Sequence, residues 1–238
     1  MDSDASSRII HLHVPKTAGT ALRGAFERAG QGKLRVFPHY DERKYAGIDP
    51  SQFDFFSGHF GFKTAAKIDG KVITVLRNPV DRFLSVYYFW RQLSQKGIEK
   101  TRNTFLASKY SLSEFVKIKD EPFLIEEFYN RMTWQIAHGS SLELRQELRD
   151  LGKSENEVFQ LACTNLAGFS VVGVQERLGD FSNSIMERLG VSFSVEKANV
   201  TEVRAAVSDI DISTIHAIHE WTYMDIELYQ QAYKLASN

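Results

Sequence analysis

Cysteine is almost missing from this chain: Cys163 is the single one among 238 residues. One thiol excludes an intramolecular disulfide and any four-thiolate zinc site, and it points to a reducing compartment. Cys163 itself reads as a small buried hydrophobe. Proline is scarce, at five residues. There is no Gly/Ser-rich stretch, no low-complexity segment and no repeat with a period of about 20 to 50 residues. Nothing marks a linker, so residues 1–238 are expected to form a single domain. An excess of one charge is also lacking, with 29 Lys and Arg against 30 Asp and Glu, a net charge of −1. This argues against nucleic-acid coating and against a polybasic membrane sensor, and any anion site must be local. No apolar run approaches the roughly eighteen residues of a membrane span. The opening MDSDASSRII is acidic and polar, without the cationic start and apolar run of a secretory signal. The expectation is a soluble, cytoplasmic protein with no nucleic-acid partner.

What is present is an ordinary globular balance, 43% hydrophobic and 25% charged, in a chain long enough to bury one sizeable core. Short runs rich in β-branched and aromatic residues predict strands at Ile9–Val14, Leu34–Phe37, Phe53–Phe56, Val72–Leu76 and Val171–Val174. Ala18, Ala21, Leu22, Ala25, Phe26 and Ala29 fall on one helical face after the first of these. Strands apolar almost throughout are buried on both sides, so the pattern predicts a mostly parallel sheet flanked by helices, with ligands at the strands' carboxyl ends. Beyond the fourth predicted strand the chain turns helical, over Ser113–Tyr129, Leu142–Leu151, Glu155–Ala162, Phe181–Leu189 and Ser213–Leu235. The fold class is α/β, a three-layer arrangement with a helical C-terminal half.

Two turns carry chemistry. In IIHLHVPKTAGTALRGAF a buried strand passes through Pro15, Lys16, Thr17, Ala18, Gly19 and Thr20 into an amphipathic helix. Helix amino termini present unpaired N–H groups and a partial positive charge, so small residues there can wrap a phosphate or sulfuryl group. Lys16 adds a full charge and Thr17 and Thr20 add hydroxyls. The lysine precedes the glycine, unlike a Walker A loop, and no Rossmann glycine pattern follows the strand. In VITVLRNPVDRFLSVYYFWR a strand ends at Arg77, and Asn78 with Pro79 marks a helix start. Ser85 lies roughly 9 Å along that helix at 1.5 Å per residue, within partial reach of an arginine. Lys16 and Arg77 therefore belong on one rim of a parallel sheet.

PKTAGT with LRNPVDRFLSVYYF resembles the two nucleotide-binding segments of sulfotransferases that use 3′-phosphoadenosine 5′-phosphosulfate, nearest to the carbohydrate group that includes the uronyl 2-O-sulfotransferases. The likeness extends more weakly through YNRMTWQIAHG, VVGVQERLGDF and IELYQQA. It implies that Lys16, Thr17, Ala18, Gly19, Thr20 and Ala21 hold the phosphosulfate, and that Arg77 and Ser85 hold the 3′-phosphate, with no metal required. It also implies a P-loop-like fold and an acceptor hydroxyl, on a sugar or a small metabolite.

Sulfuryl transfer needs a base for the acceptor proton and a cation at the leaving phosphate. Lys16 suits the second task. His59, in FDFFSGHFGF just past the third predicted strand, suits the first and matches the catalytic histidine of the resembled enzymes, although Ser57 stands where they carry a second histidine. Glu126 and Glu127 are alternative bases. Arg131, Trp134, Gln135 and His138 are acceptor-side candidates. His11 with His13 and His216 with His219 form pairs without a third metal ligand. Between Arg91 and Lys119 basic residues outnumber acidic ones, either an anionic-acceptor surface or a solvated face. The alternatives are a nucleotide-dependent kinase of related fold and a nucleotide-binding protein without transfer activity.

Overall fold

The computed structural model describes residues 8–29, 34–37, 48–192 and 205–237. Four strands, β1 (Ile9–Leu12), β2 (Phe55–Gly58), β3 (Lys71–Leu76) and β4 (Val171–Val174), form one sheet in the order β2-β1-β3-β4. Every pairing is parallel. Helices follow as α1 (Gly19–Ala29), α2 (Phe62–Ala65), α3 (Pro79–Gln95), α4 (Arg102–Lys109), α5 (Leu112–Phe115), α6 (Pro122–Phe128), α7 (Arg131–Ala137), α8 (Leu142–Asp150), α9 (Glu155–Ala167), α10 (Leu178–Leu189) and α11 (Ile212–Leu235).

The continuous apolar runs are explained by helices on both faces, because successive strand side chains point to opposite sides. Ile9, Phe55, Ile73, Val75 and Val171 meet Leu22 and Phe26 of α1 and Phe181 and Ile185 of α10. Ile10, Leu12, Phe56, Leu76, Val172 and Val174 meet residues of α7, α9 and α11, among them Trp134, Val158, Leu166 and Leu228. A second apolar core, entirely helical, joins Phe83, Leu84 and Tyr87 of α3 to Leu106, Phe115, Phe128, Ile218 and Trp221.

The strand order has a functional consequence. β1 lies between β2 and β3, so the chain leaving β1 goes to one side of the sheet, and the chain leaving β3 goes on to β4 at the other. The crevice where such connections part is where open α/β sheets bind ligands. The loops that open there are the Lys16 loop after β1 and the Arg77 turn after β3.

Several predicted elements differ: Ile9–Val14 ends two residues early, at Leu12, Glu155–Ala162 runs on to Ala167, and Phe181–Leu189 begins at Leu178. Leu34–Phe37 is no strand but a single parallel bridge, Val36 to Phe55. It is an edge segment whose Arg35 turns outward to pair with Asp54 at 2.8 Å, and its pairing extends no further among the described residues. The strand predicted at Phe53–Phe56 starts two residues later, at Phe55. Ser113–Tyr129 is broken into α5 and α6, with Pro122 beginning the second helix; a proline lacks the N–H that an uninterrupted helix needs there and is well suited to a first turn.

A buried polar knot sets α7 under the sheet. Asp225, 1% exposed, accepts hydrogen bonds from the backbone N–H groups of Met132 and Thr133 at 3.1 and 2.7 Å, capping α7 from across the chain. Asn130 returns the arrangement, its Oδ1 accepting from Met224 N at 2.9 Å just beyond Thr222, where α11 kinks. A broken helix exposes N–H groups in its second half, and Asn130 satisfies two of them, the second being Asp225 N at 3.4 Å.

Candidate active site

The loop from β1 into α1 is bent by its own backbone. Lys16 and Ala18 both adopt left-handed conformations, φ 68° and 69°, while Thr17 between them does not. Alternation of that kind curls successive N–H groups into a concavity suited to an anion. Thr17, fully buried, donates its hydroxyl to the Val14 carbonyl at 2.8 Å, so the side chain braces the loop. Thr20 is exposed and Ala21 buried on the first turn of α1.

α3 holds this loop from the other side. Its start is fixed as the sequence predicts: Asn78 Oδ1 accepts from Val80 N and Asp81 N at 3.1 and 3.2 Å, with Pro79 in the first turn. The Arg77 guanidinium donates to the Lys16 carbonyl at 3.2 Å. Arg82, 2% exposed, donates to the Pro15 carbonyl at 2.9 Å and pairs with Glu127. The Lys16 ammonium lies 3.7 Å from the centre of the Phe89 ring. Arg82, Ser85 and Phe89 share one helical stripe at i, i+3 and i+7, so buried Ser85 sits on the side of α3 that meets the loop at both neighbouring turns. Burial, with the charge of Arg77 and then of Arg82, pushes the Lys16 ammonium down to about 8, against an opposing pull from Glu127.

The histidines form a column on the α1 face. Sheet register pairs His11 with Ser57, and because side chains repeat every second residue, the next pair on that face is His13 with His59. The His13 and His59 rings are 4.7 Å apart, His11 and His13 5.2 Å. Ser57 is wholly buried with its hydroxyl 2.9 Å from His11 Nδ1, so it belongs to the sheet interior. Gly19 closes the column from above: a Cβ there would lie 2.0 Å from His13 Nε2, so only glycine lets α1 begin over that ring. Burial, then the neighbouring His13 and the Arg131 cation, holds half-buried His59 well below its ordinary value, which keeps it neutral.

The acceptor-side candidates separate. Arg131 is brought close: it hydrogen-bonds Gln135 at 3.1 Å and its charge is felt by both His13 and His59. Gln135 is completely buried and donates to the carbonyls of His13 and Phe60 at 3.0 and 2.9 Å, tying together the exits of β1 and β2. Its amide therefore acts on the framework under His59. Trp134, 1% exposed, is packed in the core with the Arg145 guanidinium 5.4 Å from its ring. His138 lies at the far end of α7 and meets Glu147 at 2.8 Å, which also binds Lys63. Glu126 and Glu127 serve internal bonds, to Leu142 N and to Arg82. In the basic stretch, Arg102 is paired with Glu121 and Lys119 with Glu220. Among the described residues no group of three or more His, Cys, Asp or Glu is arranged to hold a metal, and no helix is long and apolar enough to cross a membrane.

Sequence reasoning missed Arg82 and Gln135 as loop supports. The first had a local signal, its place one turn before Ser85 on the stripe that faces the sheet rim; the second had none, because its two carbonyl partners are far off in sequence.

An all-parallel sheet whose switch point is lined by a lysine loop and an arginine turn defines an α/β protein of the P-loop-like class. Within that class, the model described as the Sulfotransferase family matches residues 1–234, and the chain belongs to that family. A search among curated proteins finds no match. Membership makes the chain a transferase of sulfuryl groups.

Proposed function

We propose that the protein transfers a sulfuryl group from 3′-phosphoadenosine 5′-phosphosulfate to a hydroxyl on a carbohydrate or glycoside. The observation that carries this reading is the contact between the Lys16 loop and Arg77, which makes one cationic rim from two anion-binding turns. The residues suit a donor with phosphate groups at both ends: the curled amides of residues 16–18, the start of α1 and the Lys16 ammonium for the phosphosulfate, Arg77 and Ser85 for the 3′-phosphate. The donor supplies an activated sulfur whose bond to the bridging phosphate oxygen breaks as the acceptor oxygen bonds to it.

His59, neutral and beside the rim, accepts the proton that the hydroxyl loses. Lys16 meets the negative charge that gathers on the departing phosphate oxygen. The products are a sulfate ester, 3′-phosphoadenosine 5′-phosphate and a proton on His59 that passes to solvent. Arg131 borders His59 on the acceptor side and favours an anionic or polar acceptor group there.

Calorimetric titration with 3′-phosphoadenosine 5′-phosphate, with and without magnesium and against ATP, tests the donor. Binding without metal that is lost in Arg77→Ala supports the reading, and magnesium-dependent ATP binding overturns it. A mass-spectrometric screen of glycosides for a gain of sulfate then identifies the acceptor, with His59→Ala expected to abolish turnover and to keep nucleotide affinity.

A further inference from the structure

We infer that His13 is a positioning residue that couples the donor loop to His59, setting where the base stands once the loop is filled. The inference rests on the proposed donor site and extends it to a buried side chain with no part in the chemistry itself. Three contacts carry it. The ring occupies the space above which α1 begins, so close to Gly19 that the smallest side chain there would strike it. On its other side it lies 4.7 Å from the His59 ring, tilted by 52°. Its backbone is pinned at both ends, the N–H donating to the Gly58 carbonyl at 3.0 Å and the carbonyl accepting from Gln135 at 3.0 Å.

A group so held cannot yield to one neighbour without pressing on the other, because packed interiors transmit displacement. Gly19 opens the helix whose amino terminus meets the donor, and His59 follows the strand beside β1. The His13 ring is thus a rigid spacer between donor and base. Its planarity and volume do this work, so phenylalanine is a fair replacement and alanine is not.

The test uses labelled full-length protein and reads the His59 ring resonances by NMR as 3′-phosphoadenosine 5′-phosphate is added, with no acceptor present. In the wild type these resonances move on binding. In His13→Ala the movement falls severalfold while nucleotide affinity stays within about threefold, and His13→Phe restores it. A response in His13→Ala equal to that of the wild type, or one not restored by phenylalanine, overturns the coupling. Wild-type protein that fails to bind the nucleotide overturns the donor reading and the coupling together, so the two failures are distinguishable. Once an acceptor is in hand, His13→Ala lowers kcat by about 10²-fold with KM for the donor little changed, the scale expected of a base misplaced by about 1 Å, and His13→Phe recovers most of the loss. A kcat in His13→Ala equal to that of the wild type would sink the proposal.

Discussion

The Arg77 guanidinium and the Lys16 backbone carbonyl are joined by a hydrogen bond of 3.2 Å, which binds the turn after β3 to the loop after β1. The acceptor is a backbone carbonyl, so this bond does not itself neutralise the guanidinium. Replacing Arg77 by alanine is expected to weaken binding of 3′-phosphoadenosine 5′-phosphate by about 10- to 100-fold, the equivalent of about 1.5–3 kcal/mol for a hydrogen bond to a charged group. Lysine in its place recovers only part, since it lacks the planar fork. Isothermal calorimetry on the three proteins checks this, and an affinity unchanged in Arg77→Ala would remove the residue from the site.

In the proposed donor site, Lys16 would give binding a pH signature. Its ammonium sits near 8 because burial and two arginines oppose its charge. A bound dianion favours that charge and raises the value. Below about 8 the donor meets a protonated lysine; above it, binding must bring a proton along, and affinity declines as pH rises. At pH 9, calorimetry in buffers of different ionisation heat should register uptake of close to one proton on binding, and Lys16→Met should register none.

The three histidines are expected to weaken the fold on acidification. Burial is the chief reason that His11, His13 and His59 all lie below the ordinary histidine value, with His13 lowered to about 3 and disfavoured further by Arg131, Arg82 and Lys16. A depressed folded value means stability that is fully present above about 6.5 and is lost as the pH falls toward the folded value. For His13 the window runs from about 6.5 down to about 3. Each such group steepens the loss by up to about 1.4 kcal/mol per pH unit. Urea denaturation at pH 7, 6 and 5 is expected to show His13→Phe losing less stability on acidification than the wild type; parallel curves would refute it.

The Asp225 cap is a structural lever remote from the rim. In Asp225→Ala, two buried backbone N–H groups and the Thr133 hydroxyl lose their acceptor, for an expected loss of about 2–4 kcal/mol. Asp225→Asn keeps an acceptor oxygen and should lose about half as much. The check is the urea midpoint at constant slope.

Much of the rim was legible in sequence for local reasons. β1 and β3 are buried on both faces, which writes a continuous apolar run, and Asn78 with Pro79 spells a helix start within two residues. His59 follows β2 directly, so its place at a strand end was readable too. What escaped reading was contact between distant segments. Asn130 and Asp225 cap each other's helices across most of the C-terminal half, and neither makes a periodic pattern. Gln135 looked like a side chain for ligand, yet its amide nitrogen donates to two backbone carbonyls, which are invisible in any residue string. Ser57 was legible as a difference from the resembled enzymes, but its direction depended on strand register, and the register turns it to His11.

The left-handed backbone at Lys16 and Ala18 bears on speed. Each such conformation costs an L-residue about 1–2 kcal/mol, and here it is held by Thr17, Arg77 and Arg82 from within the protein. The expense falls on folding, so a nucleotide held as proposed above would find the curl already made and have no chain to rearrange. Capture then becomes a matter of collision frequency steered by local charge, and the association rate, more than the dissociation rate, will answer to ionic strength.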